Sequence, residues 1–197
     1  MPVLVEPALA TGHLARLVQP VLTTADLTLR PWLATDVDAV VAAYDDPDIQ
    51  RWHVRSMTTD EARTWIEHWS ARWQQETGAG WAVEAAGVVV GQISLREVDL
   101  SDACVELSYW VVLEARGKGV ALAALDAVTE WAFDHAGMVR AELAHSTSNP
   151  ASCRVATKAG YLPEGTARRQ ALHVDGWHDM HHHARLSAHT AGDAVLT

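Results

Sequence analysis

The run "VVLEARGKGVALAAL", residues 111–125, sets Arg116, Gly117, Lys118 and Gly119 between an apolar strand-like stretch and an apolar helix-like one. A strand that enters a helix through such a turn leaves several backbone N–H groups without intrahelical partners. With the helix dipole they attract a phosphate or similar anion, and glycine lets that anion approach the backbone closely. Two familiar phosphate loops are excluded. A Walker loop requires Gly where Val112 stands and Ser or Thr where Gly119 stands; a dinucleotide fingerprint requires Gly or Ala where Leu122 stands. Glu106 is a second reactive candidate. It interrupts the apolar run "CVELSYWVV", and period 2 puts it on the face of Cys104, Ser108 and Trp110. A carboxylate among such neighbours is partly desolvated, which raises its pKa toward a general base's working range. The tract His181-His182-His183 has the composition of a metal site, but strand alternation sends His182 to the face opposite its neighbours. A single strand cannot gather all three on one ion, and no metal is expected. His173 is a reserve candidate for base.

These residues need elements to hold them. "LTLRPW", 27–32, alternates as a first strand, and "TDVDAVVAAYDD" repeats apolar residues at helical spacing until Pro47 stops it. Thr58 and Glu61 form a capping box opening a helix that carries Trp65, Trp69 and Trp73 on one face, read as core. Tyr44, Arg51, Trp52 and His53 fall in the loop between these helices. "GWAVEAAG" and "VVVGQISLREV" read as a hairpin turning at Ala86-Gly87, followed by the strand that carries Glu106 and a long helix closed by Gly137. "MVRAELAH" reads as a strand, and "NPASCRVATKAG" as a helix with Asn149 as cap and Pro150 first. Two final strands flank Asp175-Gly176. The pattern is α+β around one mixed sheet. Residues 1–25 read as an N-terminal extension, 26–190 as one domain and 191–197 as a tail.

Composition narrows the partners. A chain of 197 residues with 49% hydrophobic and 20% charged residues is long enough for one well-cored domain. Its net charge of -10 makes nucleic acid or an anionic membrane a poor partner and favours a cationic small molecule or basic peptide. Cys104 and Cys153 form no C-x-x-C and suit a reducing cytoplasm as small core residues. The N-terminus lacks a basic region and a long apolar run, so it reads as neither signal nor anchor.

Arg116-x-x-Gly119-x-Ala121, after a strand and opening a helix, resembles the signature of the GNAT superfamily of N-acetyltransferases. "ELSYWVVLEARGKGVALAAL", "NPASCRVATKAGYLPEGTAR", "HVDGWHDMHHHARL" and the opening "LRPWLATDVDAVVAAYDDPDIQRW" are similar to its ribosomal-protein N-terminal acetyltransferase branch. The resemblance covers about residues 26–187. It implies an α+β domain with a mixed, mostly antiparallel sheet of about seven strands, splayed at an acetyl-CoA cleft and flanked by about four helices. It implies further that the backbone of Trp110, Val111 and Val112 holds the pantetheine. Arg116, Gly117, Lys118, Gly119, Val120 and Ala121 would cradle the pyrophosphate, with Asn149 and Ser152 near the sulfur. Glu106 matches the general base of the histone-acetylating branch, and Ser152 a hydroxyl assigned as acid in the ribosomal branch. Two family residues are missing: the acid Tyr of many members is Ala156 here, and the ribosomal branch's base Glu is Ala171.

The expected activity is transfer of an acetyl group from acetyl-CoA to a primary amine, either a protein N-terminus or a small molecule, in the cytoplasm. A homodimer is left open. Two alternatives stand beside it. A succinyl or other acyl donor would call on Arg51, Arg55 or Arg96 as cation. A non-catalytic acyl-CoA sensor would need no base.

Overall fold

Glu76, just after a helix, ties the N-terminal segment to the domain. The computed structural model describes residues 4–188, so the tail read at 191–197 lies outside the described residues. The Glu76 carboxylate accepts from the backbone N–H of Gly12, Leu14 and Ala15 at 2.6, 2.6 and 3.2 Å. The N–H groups of Ala8 and Leu9 donate to the carbonyls of Ser101 and Leu100. The indoles of Trp73 and Trp81 donate to Leu17 and Pro20 carbonyls. Leu14 is fully buried in the main core. Residues 8–25 therefore run along the domain rather than away from it.

The elements in chain order are β1 (Leu22–Thr23), β2 (Thr28–Pro31), α1 (Val37–Tyr44), α2 (Pro47–His53), α3 (Thr59–Gln74), β3 (Ala79–Ala85), β4 (Val88–Asp99) and β5 (Cys104–Val111). They continue with α4 (Val120–Asp134), β6 (Arg140–Ser146), α5 (Pro150–Lys158), β7 (Leu162–His173) and β8 (Gly176–Leu186). Eight strands form one sheet, ordered β1-β2-β3-β4-β5-β6-β8-β7, antiparallel throughout except for the parallel pair β5–β6. The parallel pair requires a crossover, which α4 supplies. The sequence reading of an α+β fold around one mixed sheet holds, with two more elements than expected, β1 and α2.

The helix α2 corrects the reading of residues 47–53 as loop. Pro47 stops α1 but also begins α2, because a proline at the first helical position gives up an N–H that has no partner there anyway. Asp46 caps it, its carboxylate accepting from Asp48 N–H at 2.8 Å. The capping box at Thr58 and Glu61 is present as read.

Two cores flank the sheet. One packs α4, α5 and the N-terminal segment on Val105, Leu107, Ile93 and Leu95; the other packs α1–α3 on Ala82 and Trp110. The tryptophan stripe of α3 joins them. Trp73 stacks beside Trp131 in the first core, while Trp65 and Trp69 enter the second with Trp32 and Tyr44. Trp69 lies so close on β3 that a Cβ at Gly80 would sit 2.5 Å from its ring, so only glycine fits there.

Burial disfavours charge on Glu76, but its three N–H donors outweigh that and hold its pKa below the usual carboxylate range. A depressed pKa adds stability above the unfolded-state value, and that stability is lost as pH falls through the folded one. Glu76→Gln keeps the shape but loses the charge, and is expected to cost about 2 kcal/mol, or roughly 4–8 °C in Tm. A thermal melt series against pH checks it: the gap between the two proteins should close in acid. A gap that is absent at neutral pH, or that persists in acid, refutes the role.

Candidate active site

The β5–β6 ladder stops early. Its pairs run from Cys104↔Arg140 to Leu107↔Leu143, whereas β5 continues to Val111 beside β4 and β6 to Ser146 beside β8. Beyond Leu107 the two strands part. Val112 N–H donates to Val90 of β4, so by alternation Ser108 and Trp110 also turn their backbone groups to β4, and Tyr109 and Val111 turn theirs into the gap. The carbonyl of Tyr109 accepts from His53 Nε2 at 3.2 Å and that of Val111 from Arg116 Nε at 3.0 Å. Of the three residues read for the pantetheine, Val111 faces the gap; Trp110 and Val112 bond the neighbouring strand, and the Trp110 indole is buried in the second core.

At the mouth of the gap lies the glycine turn. Gly117 and Gly119 both adopt the left-handed backbone, φ 76° and 82°. Gly119 is the N-cap of α4, no side chain caps that helix among the described residues, and no atom lies within 4 Å of where a Cβ on Gly119 would stand. The N–H groups at the start of α4 have no intrahelical partners, and the space over Gly119 is clear of other residues, beside the stretch of β5 that has left β6. That is a fit to a phosphate-bearing thioester: an open cradle that a side chain would fill, leading to backbone donors and acceptors. Arg116 does not add its charge there. Its guanidinium binds Asp46 and Asp48, tying the turn to the start of α2, and Lys118 remains the cation at the turn. Without α2 in the sequence reading, those two aspartates had no place beside it.

On the α5 side of the gap, Asn149 caps the helix, accepting from Ser152 N–H at 3.1 Å. The Ser152 hydroxyl pairs with the Tyr109 hydroxyl at 2.8 Å. Burial pushes the Tyr109 phenol up to about 12 despite the Ser152 hydrogen bond, so it stays protonated. Ala156, where many family members carry a tyrosine, is fully buried in α5, and the phenol that meets Ser152 comes instead from β5. Alternation from Glu106 already sends residue 109 to the opposite, α5-facing side; only the pairing partner was beyond sequence.

On the other face, Glu106 sits one pair before the strands part, opposite Glu142. It lines a polar cavity of about 130 Å³ with Arg140, Glu142, Glu164, Gln170 and His182. Its side chain is 28% exposed and lies 3.4 Å from Arg96. Burial raises its pKa, Arg96 opposing. Three residues not singled out by sequence extend this face: Ser146 Oγ pairs with His178 Nδ1 at 2.6 Å, and His178 Nε2 with Asp175 at 2.8 Å. His173 stacks on His178 at 4.4 Å, and its Nδ1 donates to Arg51 carbonyl. Arg51 pairs with Asp175 and lies over Trp52, while burial holds His53 near pKa 4, hence neutral. Cys104 is a poor nucleophile, its thiol pushed up to about 11 by burial.

No helix among the described residues is long and apolar enough to cross a membrane. Residues 26–162 match the family described as Acetyltransferase (GNAT) domain. YdaF of Bacillus subtilis (strain 168), provisionally named a ribosomal N-acetyltransferase, is 29% identical over 131 residues, 66% of this chain and 71% of its own. Among solved structures, RimL, described as a ribosomal L7/L12 alpha-N-protein acetyltransferase in complex with coenzyme A, superposes with a TM-score of 0.79. It is 18% identical and the match covers 85% of this chain and 98% of RimL. Mycobacterium smegmatis RimJ in complex with CoA-disulfide gives 0.76 at 22% identity, covering 84% of this chain and 85% of RimJ. A strand pair that opens beside an uncapped glycine turn, and a family match across most of the chain, lead to one conclusion: this protein belongs to the GNAT acetyltransferase family and is an N-acetyltransferase.

Proposed function

We propose that the protein moves an acetyl group from acetyl-CoA to the α-amine of a peptide or protein N-terminus. The observation that carries the acceptor half is the acid-rich cavity around Glu106, beside the parting of β5 and β6. Glu106, Glu142 and Glu164 outnumber Arg140 there, which suits a cationic amine. The relatives named for ribosomal proteins support the same class of acceptor.

Acetyl-CoA supplies an activated thioester, so no covalent enzyme nucleophile is needed. The turn at 117–121 binds its phosphates through backbone N–H groups, with Lys118 adding charge, and Val111 and Tyr109 orient the pantetheine arm along the gap. Glu106 removes the proton from the amine, directly or through one water, since only a neutral amine has a lone pair to attack with. Ser152 and Tyr109 are linked at 2.8 Å, so one hydroxyl donates to the other and the second gives its proton to the leaving sulfur. A longer acidic donor such as succinyl finds less support. Arg51 and Arg96, two of the cations it would use, are held by Asp175 and Glu106.

An α-amine has a pKa of about 7.7–8.0 against about 10.4 for lysine, so near neutrality far more of it is neutral. Matched peptides with free and blocked N-termini, each with one lysine, test the reading. The free peptide is expected to react at least about 100-fold faster, with stoichiometric release of free CoA. Equal rates on the blocked peptide would count against the N-terminal acceptor, and CoA binding without release against turnover.

A further inference from the structure

We propose that His145, His181, His183 and Cys153 form a binding site for one tetrahedral transition-metal ion, Zn²⁺ by the chemistry of its ligands. His145 of β6 and His181 of β8 are direct cross-strand partners, and His183 lies two residues along β8 on the same face. Cys153, on the first turn of α5, covers them. One ligand atom from each of the four lies within 4.8 Å of every other. His182 is turned to the opposite face, since it sits opposite Ala144, between the pairs His181–His145 and His183–Leu143, and its Nε2 lies against Gln170 Oε1. Alternation counts only one strand, and β6 and α5 supply the other two ligands.

The hydrogen bonds explain why a cation belongs here. His145 Nδ1 lies 2.8 Å from the Ser146 carbonyl, and His183 Nδ1 lies 3.4 Å from the Tyr161 carbonyl. A carbonyl oxygen only accepts, so each Nδ1 carries a proton, and in its neutral form each ring then presents a bare Nε2. Those two Nε2 atoms face each other at 3.2 Å, where two lone pairs repel unless something positive lies against both. Two nitrogens on one tetrahedral Zn²⁺, at about 2.0–2.1 Å from the metal, stand roughly 3.3 Å apart. A proton would relieve the pair alone, but a third imidazole and a free thiol converge on the same point. The carbonyl contacts are the outer partners that fix tautomer and ring orientation in metal-bound histidines. Three imidazoles and one thiolate form a borderline-soft set suited to Zn²⁺ over Mg²⁺ or Ca²⁺. The ion would staple β6, β8 and α5, fixing the helix end that carries Asn149 and Ser152.

The test uses full-length, tag-free protein stripped of metal. Titration with Zn²⁺ is expected to show one ion per chain at micromolar or tighter affinity and a rise in Tm. Co²⁺ is expected to give the intense visible bands of a tetrahedral site and a near-ultraviolet thiolate charge-transfer band. Cys153→Ser should lose the charge-transfer band and His145→Ala should weaken Zn²⁺ more than about 100-fold. His182→Ala, on the same strand but the opposite face, should bind as wild type. Cys153→Ser is a near-isosteric change at a partly exposed position, so it remains informative if His145→Ala does not fold. No stoichiometric uptake of Zn²⁺, a weak octahedral-type Co²⁺ spectrum, or a charge-transfer band that survives Cys153→Ser overturns the site.

Discussion

Glu106→Gln is expected to lower kcat by about 10²–10⁴-fold, the usual contribution of a positioned base, with folding and CoA affinity unchanged. Glu106 stands one pair below the point where β5 and β6 part, on the face away from the α5 wall that holds Ser152 and Tyr109. The two hydroxyls and the carboxylate thus flank the gap from opposite sides, which would let one side take the proton from the amine while the other protonates the departing sulfur. The energetics follow. Burial raises the Glu106 pKa, with Arg96 opposing, so the carboxylate is a stronger base than an exposed one and a closer match to an α-amine. The sign for pH is set by that shift: the basic form is lost as pH falls through a value above the ordinary carboxylate range. The acidic limb of the kcat profile should therefore lie higher than for an unperturbed Glu, and should vanish in the Gln variant. If the variant stays within a few-fold of wild type at every pH, the base lies elsewhere. The Asp175–His178–Ser146 chain and His173 come next, since they occupy the same face.

Local features of this chain are legible in its sequence, and long-range contacts are not. Periodicity, caps and glycine turns are local, and they located most strands and helices, the capping box at Thr58 and the N-cap at Asn149. They failed where one residue carries two opposite signals, as at Pro47, which ends one helix and starts the next. Convergence of side chains is not local. Tyr109 meets Ser152, Arg116 meets Asp46 and Asp48, and Ser146 meets His178 across separations of 32 to 70 residues. The alternation of each strand was readable, but which strands neighbour one another, and in what register, was not. The same gap hid the histidine and cysteine cluster, whose members come from two paired strands and a helix. It also hid Glu76, whose three partners lie more than 60 residues away in the N-terminal segment.

Gly119→Val is expected to weaken CoA binding by at least about 100-fold in a protein that still folds. Two effects of the substitution must be separated, and the structure separates them. The first is strain: φ at Gly119 is 82°, a region that a β-branched residue adopts at a cost of about 1–3 kcal/mol. A domain of this size is expected to survive that cost, and nothing within 4 Å of the added Cβ has to move. The second is steric. The empty space around Gly119 is the space through which a phosphate would reach the N–H groups at the start of α4, and an isopropyl group fills it. Gly119→Ala carries much of the strain with far less bulk, so it should lose similar stability but less affinity. Lys118→Ala removes only charge, and its effect should shrink as salt is raised. Urea melts report the strain, and CoA titration of the folded variants reports the site. Wild-type CoA affinity in a folded Gly119→Val protein would mean that the phosphates do not approach this turn, and the assignment of the cradle would fall with it.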